Sequence, residues 1–260
     1  MPLSKRTGAT LGITAIVALF IAAGAYFYPR VTAPTKAPAV TAPDAPSAPA
    51  QPAVVGWRAD FSAADAGEDG LPAGWKLVKK PGTKPATFTV EQDPAKNGPF
   101  LRMEADRGSA SLITVVKNVD LRKTPVLRWK WRVEKLPAGA DGRVRSKDDQ
   151  AIGIYVGTGS ALNNKSVSYR WDTETPPGTE GTASYGLGGI KIKWFTLRNK
   201  EDAAKDGWIT EERNVAEDFK SAWGFYPDTI YISVSCNSQY TRSQAEADLG
   251  EMELVSPPSG

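Results

Sequence analysis

Two acidic pairs and one set of alternating basic and aromatic residues hold the chemistry that this 260-residue chain could perform. The chain has no histidine and one cysteine. That excludes Ser-His-Asp and Cys-His nucleophiles, His-ligated zinc or non-haem iron, and an intrachain disulfide. Asp148-Asp149 opens a predicted strand, and Glu211-Glu212 stands just before Arg213. Two carboxylates about 5 to 10 Å apart, one of raised pKa, would suit glycoside hydrolysis. Asp148 or Asp149 at a sandwich rim would suit calcium somewhat better, since hard oxygen ligands and carbonyls are common there. Adjacent acids at a strand end are more often solvated or paired with an arginine, which is the reading preferred here. No cofactor is expected.

The second constellation is Arg128, Lys130, Arg132, Tyr155, Arg170 and Tyr231, with Ser233 and Ser235. All fall on the non-core side of their strands. Tyr rings stack on sugar faces and Arg forks hold carboxylate or sulfate, so a groove of these residues would take an acidic glycan. Asp148, Asp149, Glu211 and Arg213 complete the candidate ligand-binding set. The same residues could serve a lyase with a tyrosine base, and a solvated sheet face is the plain alternative. Because Arg170 and Tyr231 project away from the core, Arg170→Ala and Tyr231→Ala are expected to weaken binding at little cost in stability.

These residues are positioned by strands with period-two alternation. In PVLRWKWRVEK, Leu127, Trp129, Trp131 and Val133 share one side; in DTIYISVSC, Ile230, Ile232, Val234 and Cys236 do. DQAIGIYVG places Ile152, Ile154 and Val156 together, and SVSYRWD places Val167, Tyr169 and Trp171 together. Further strands are predicted at 56–61, 75–80, 86–92, 100–105, 109–117, 190–197, 208–213 and 249–255. Only VAEDFKSAW (Val215 to Trp223) is helical in pattern, with Asn214 as N-cap and Gly224 as stop. Trp129, Trp131 and Trp171 are expected in the core, and Trp57, Trp75 and Trp208 at partial exposure. Cys236 reads as a buried small hydrophobe.

Ahead of these strands, Lys5 and Arg6 precede an uncharged run whose apolar centre, Leu11 to Tyr28, is just long enough to cross a bilayer. Its aromatic flank suits an interfacial belt, while Ala22 to Ala25 offers small residues for signal cleavage. Residues 31 to 55 are rich in Pro, Ala, Thr and Ser, a spacer able to hold a domain on the order of 70 Å from the membrane. Before Val55 the chain carries four basic residues and one acid; the remainder holds 28 of each. A neutral domain without a basic tail argues against nucleic acid as a partner.

The stretches PVLRWKWRVEKLPAGAD, SKDDQAIGIYV, SVSYRWDT and above all WITEERNVAEDFKSAWG together resemble a bacterial family of exported proteins, domain of unknown function 3047. The likeness rests on Trp208, Glu211 or Glu212, Arg213, Asn214, Val215, Asp218, Phe219 and Gly224. Where members often carry an arginine after the acidic pair, this chain has Gly153, and where they tend to an Asp-rich turn it reads SCNSQYT (Ser235 to Thr241). The resemblance implies a sandwich fold and supplies no activity. More loosely, the DF…LPAGW opening and the GEMELV strand resemble carbohydrate-binding jelly rolls.

The sequence therefore reads as all-β: an antiparallel two-sheet β-sandwich, jelly-roll-like, with one short helix, over 56–260. An N-terminal transmembrane helix or signal segment (1–30) and a Pro-rich linker (31–55) precede it. The expected setting is a single-pass inner-membrane protein facing the periplasm, or a periplasmic or secreted domain after cleavage. The expected function is non-catalytic binding of a glycan or envelope polymer. The alternatives are a His-free glycan hydrolase or lyase and an envelope protein-protein scaffold.

Overall fold

Alternating β-branched and aromatic residues make extended backbone the cheaper state here, because each strand can bury one side and leave the other polar. In the computed structural model, residues 53–62, 70–95, 98–160, 163–185, 188–203 and 207–257 are described. The anchor and nearly all of the linker expected at 1–55 lie outside them, and among the described residues no helix is long and apolar enough to cross a membrane. The described residues form thirteen strands: β1 (Val55–Ala59), β2 (Lys76–Lys79), β3 (Thr87–Gln92), β4 (Pro99–Asp106), β5 (Ser109–Val116), β6 (Val126–Lys135), β7 (Ile152–Ser160), β8 (Asn163–Trp171), β9 (Glu180–Tyr185), β10 (Ile190–Arg198), β11 (Ile209–Asn214), β12 (Ile230–Asn237) and β13 (Gln244–Val255). Two α-helices accompany them, α1 (Lys200–Ala203) and α2 (Val215–Trp223), with one 3-10 turn at Arg145–Lys147.

The strands make two sheets. One has the order β11-β6-β13-β4-β3, with β1 also paired to β13; the other runs β2-β5-β12-β7-β8-β10-β9. The all-β sandwich expected from the sequence is the fold observed. Three details differ from the expectation, the first being the short helix α1 beside the one expected. EGTASY forms an additional strand, β9, and β10 pairs β8 in parallel while pairing β9 antiparallel. The chain leaving β8 passes to the sheet edge as β9 before turning back, so β10 enters between them.

The core fills the space between the sheets. Trp129 stacks on Tyr169 with ring centroids 5.4 Å apart, and Trp131 meets Trp171 edge-on at 5.5 Å. All four are buried, as is Cys236, whose thiol burial pushes well up. Trp75 is buried as well, against the expectation of partial exposure, because it packs on Phe61. Helix α2 forms as its sequence predicts. The Asn214 side chain accepts the Glu217 N–H at 3.1 Å, and Gly224 ends the helix at φ 83°. It buries Val215, Ala216 and Phe219.

Candidate functional site

The outer face of the seven-stranded sheet is built of small residues crossed by a few large ones. One row of the register runs Ser111, Ser235, Gly153, Arg170, Thr196 across β5, β12, β7, β8 and β10. The next runs Ile113, Ser233, Tyr155, Ser168, Trp194 and Gly181. Glycines let the rings lie across the sheet instead of standing on it. A Cβ on Gly157 would stand 2.2 Å from Tyr231 Cζ, one on Gly181 2.3 Å from Trp194 Cζ2, and one on Gly153 3.0 Å from the Tyr155 ring.

Surrounding segments turn this face into a cleft of ≈ 130 Å³. Its floor is Ser111, Ser233, Ser235, Tyr155 and Arg170; Tyr185, Ile190 and Ile192 wall one side. Asp148 and Gln150 precede β7, and Gln239 and Tyr240 come from the turn after β12. The acidic pair is divided between two tasks. Asp148 lines the cleft, while Asp149, fully buried, accepts hydrogen bonds from Tyr240 N at 3.2 Å, Thr241 N at 2.7 Å and Thr241 Oγ1 at 2.8 Å. It thereby holds the turn that carries Gln239 and Tyr240. Burial pushes the Asp149 carboxyl up, against the pull of those bonds.

Arg170 is the electrostatic centre. Only 1% exposed, it donates from Nη1 to Asp148 Oδ1 at 3.0 Å, and its guanidinium stands 4.9 Å from the Trp194 ring centre. Burial works against its charge, but Asp148, Tyr155, Asp172 and Tyr185 outweigh it and hold the guanidinium protonated. Gln150 Nε2 donates to the same Asp148 oxygen at 2.8 Å, and Tyr185 Oη stands 3.5 Å from Asp148 Oδ2. Asp172 is fully buried, accepting from Thr196 Oγ1 at 2.7 Å; burial pushes its carboxyl up to about 6 despite Arg170. Arg170 Nε and Ser235 Oγ are buried on the floor without a hydrogen-bond partner.

The remaining predicted residues lie elsewhere, which corrects the single basic-aromatic face expected from the sequence. Arg128, Lys130 and Arg132 project from β6, on the outer face of the six-stranded sheet, the opposite side of the sandwich from Tyr155 and Arg170. Arg128 pairs with Glu212 at 2.6 Å, and Arg132 with Asp248 at 2.7 Å while lying 4.7 Å from the Trp208 ring centre. Glu211 pairs with Arg198 at 2.5 Å, and Arg213 grips Asp218 through two nitrogens. Asp218 in turn accepts the Tyr169 hydroxyl at 2.7 Å, so this cluster pins α2 to the sandwich. Tyr231 is on the cleft side but 2% exposed, donating to Asn164 at 2.9 Å; burial pushes its hydroxyl up to about 12. Alternation tells which side of a strand a residue takes, not which sheet the strand joins. Among the described residues no group of three or more His, Cys, Asp or Glu could hold a metal. Sequence reasoning missed Tyr185, Gln150, Lys80, Gln239 and Tyr240. The signal available was Gly153 and Gly157 on the polar side of a strand, where only a close approach calls for glycine.

A two-sheet sandwich whose one outer face is carved into a small polar cleft defines the class. Residues 73–253 match the family described as "Protein of unknown function (DUF3047)", and the chain belongs to that family. No curated protein matches it. Among solved structures, it is similar to the family 11 carbohydrate-binding module from Clostridium thermocellum in complex with a β-1,3-1,4-mixed-linked tetrasaccharide. Identity is 10%, coverage 72% of this chain and 91% of that one, and the TM-score 0.38. It is also similar to the tandem family 22 modules of Paenibacillus barcinonensis Xyn10C (12%, 81% and 52%, TM-score 0.39). A third similar structure is the catalytic domain of Humicola grisea Cel12A in complex with a thio-cellotetraose (9%, 69% and 91%, TM-score 0.36). At these TM-scores the superpositions are too loose to transfer a site or a ligand.

Proposed function

We propose that this chain binds a glycan without cleaving it, seating one neutral sugar ring in the cleft on the seven-stranded sheet. The observation that carries this reading is the pair of unpartnered buried atoms on the floor, Arg170 Nε and Ser235 Oγ. Leaving a buried polar group unmade costs about 1 to 3 kcal/mol. A sugar hydroxyl both donates and accepts, so hydroxyls drawn down onto the floor as its side chains part would offer both atoms a partner. Tyr155 and Tyr185 line the same cleft and offer apolar ring surface beside a polar tip, the combination that suits a sugar's mixed faces.

The charge arrangement favours a neutral ring over the acidic one expected from the sequence. Asp148 already supplies the countercharge of Arg170, whose Nη1 it accepts, so a ligand carboxylate would bring a second anion to one buried guanidinium. Binding without cleavage follows from the acids. A glycosidase needs two carboxyl groups about 5 to 10 Å apart. Asp148 is the one carboxylate among the described lining residues, Asp149 faces the turn, and Glu211 and Glu212 belong to the other sheet.

On this reading the domain works outside the inner membrane, tethered by residues 1–30 through the linker at 31–55, as the length of Leu11 to Tyr28 supports. Mass measurement of the membrane-associated chain tests the tether; a chain beginning near Ala25 or Tyr26 would remove it. Calorimetric titration of the full chain with a panel of neutral and acidic oligosaccharides tests the cleft. Tyr155→Ala is expected to weaken binding about tenfold or more (~1.4 kcal/mol). An affinity untouched by that change, or release of a shortened sugar, overturns the proposal.

A further inference from the structure

Next to the cleft lies a second concavity, and its charge is of one sign. A basin of ≈ 440 Å³ is lined by Lys84, Arg107 and Arg242, and it shares Lys80, Gln239 and Tyr240 with the cleft. The cations arrive from three separate segments: the stretch after β2, the β4–β5 turn, and the turn that Asp149 holds. No carboxylate lines the basin among the described residues. Asp106 pairs with two of the cations, at 2.8 Å from Lys84 and 3.3 Å from Arg107. Two of the four lining cations thus share a single carboxylate.

Backbone conformation singles out the same two arginines. Among the described residues, four non-glycines have positive φ, and two of them are Arg107 at 51° and Arg242 at 54°. The left-handed conformation costs an ordinary L-residue about 1 to 2 kcal/mol, and glycine would hold either turn without that cost. Both turns instead place an exposed arginine at the basin. Strained backbone of this kind collects where a ligand is held.

We infer that the basin takes an anionic substituent, a carboxylate or a sulfate ester, borne by the sugar residue adjoining the one seated in the cleft. The ligand is then an acidic heteroglycan in which a neutral residue neighbours a charged one. This rests on the cleft being a sugar site. The division of labour follows from the charges: the cleft has its arginine neutralised by Asp148, and the basin has cations in excess. Because Lys80, Gln239 and Tyr240 line both, one chain can run from one to the other.

The test is calorimetry on the full chain with matched pairs of oligosaccharides. One set pairs uronate-containing oligomers with their methyl esters; the other pairs sulfated oligomers with their desulfated forms. Each pair is titrated at about 25 and about 250 mM salt, where screening lengths differ roughly threefold. The anionic member of one pair is expected to bind at least tenfold more tightly at low salt and to lose most of that advantage at high salt. The pair that shows it identifies the substituent. Arg107→Asn with Arg242→Asn, chosen because asparagine tolerates positive φ, is expected to abolish the advantage while leaving the neutral member's affinity unchanged. If both members of every pair bind alike, or the double variant keeps the advantage, the basin inference falls and the cleft reading stands. If no pair binds, or Tyr155→Ala leaves all binding intact, the cleft reading falls and takes this inference with it.

Discussion

The two outer faces of the sandwich are made of similar residues and behave differently. On the six-stranded sheet, register places opposite charges directly across from one another. Asp248 of β13 lies between Arg102 of β4 and Arg132 of β6, and Arg128 lies between Glu212 and Glu253. Asp248 accepts from Arg102 Nε at 2.9 Å and from Arg132 Nε at 2.7 Å. That face satisfies itself. On the seven-stranded sheet the cross-strand neighbours of Arg170 are Gly153 and Thr196, neither able to neutralise it. Its partner comes from the loop before β7, and its Nε is left over. A charged residue becomes available to a ligand when its strand neighbours are small, rather than because it is basic.

The largest effect that could break this contrast is the loss of an arginine from each face. Arg170→Ala should cost about 3 to 5 kcal/mol in urea unfolding, since Asp148 and Asp172 would be left buried without countercharge. Arg128→Ala, an exposed pair, should cost less than about 1 kcal/mol. Equal losses would mean that burial does not distinguish the faces. The first figure also corrects the small cost expected from the sequence for Arg170, which read a polar side as a solvated one.

Asp172 gives a pH-dependent version of the same comparison. Its carboxyl titrates near 6 in the folded domain against 3.8 ordinarily, so it is protonated in both states below about 3.8. As pH rises towards 6 the unfolded chain loses its proton first, and stability falls; above about 6 the deficit is constant. The total is about 3 kcal/mol, at ~1.4 kcal/mol per tenfold change in proton activity. Asp172→Asn should remove that fall, so its stability relative to the parent should improve by this amount between pH 4 and pH 7. A relative stability flat across that range would show that Asp172 is not held protonated.

Smaller effects sharpen the contrast. Gly157→Ala would drive a methyl into the Tyr231 ring and should cost about 1 to 3 kcal/mol, seen as a lowered thermal midpoint; an unchanged midpoint would show that Tyr231 can shift. Ser235→Ala removes a hydroxyl with no protein partner and should alter stability by less than about 0.5 kcal/mol, yet weaken glycan binding. A large loss of stability there would reveal that the hydroxyl serves the fold.

Much of the sandwich was legible because period-two alternation reports burial on one side directly. Leu127, Trp129 and Trp131 against Arg128 and Lys130 needed no other information, and the caps of α2 were present in Asn214 and Gly224. The strand β9 was not legible, because EGTASY offers small and polar residues on both sides and, among the described strands, pairs with β10 alone. The site was half legible for a related reason. Tyr155, Arg170, Ser233 and Ser235 were recognisable as one polar surface, but nothing local could assign β6 to the opposite sheet. Nor could spacing show that Asp149 would reach a turn some ninety residues later, since that contact is made by topology.

Strand β13 has a consequence for how the protein is made. Among the described residues, two ribbons, β11 with β6 and β3 with β4, have no link within their sheet except β13, which also receives β1. During synthesis β6 is complete at Lys135, but its other neighbour begins only at Gln244. At ribosomal rates of about 5 to 20 residues per second, one edge of β6, with Trp129 and Trp131 on its apolar side, stays bare for roughly 5 to 20 s. An unpaired edge is a template for the wrong partner. An insertion between Lys135 and Gln244 would lengthen that interval without touching either strand. Its penalty would fall on the fraction of chains that fold, rather than on the stability of those that do.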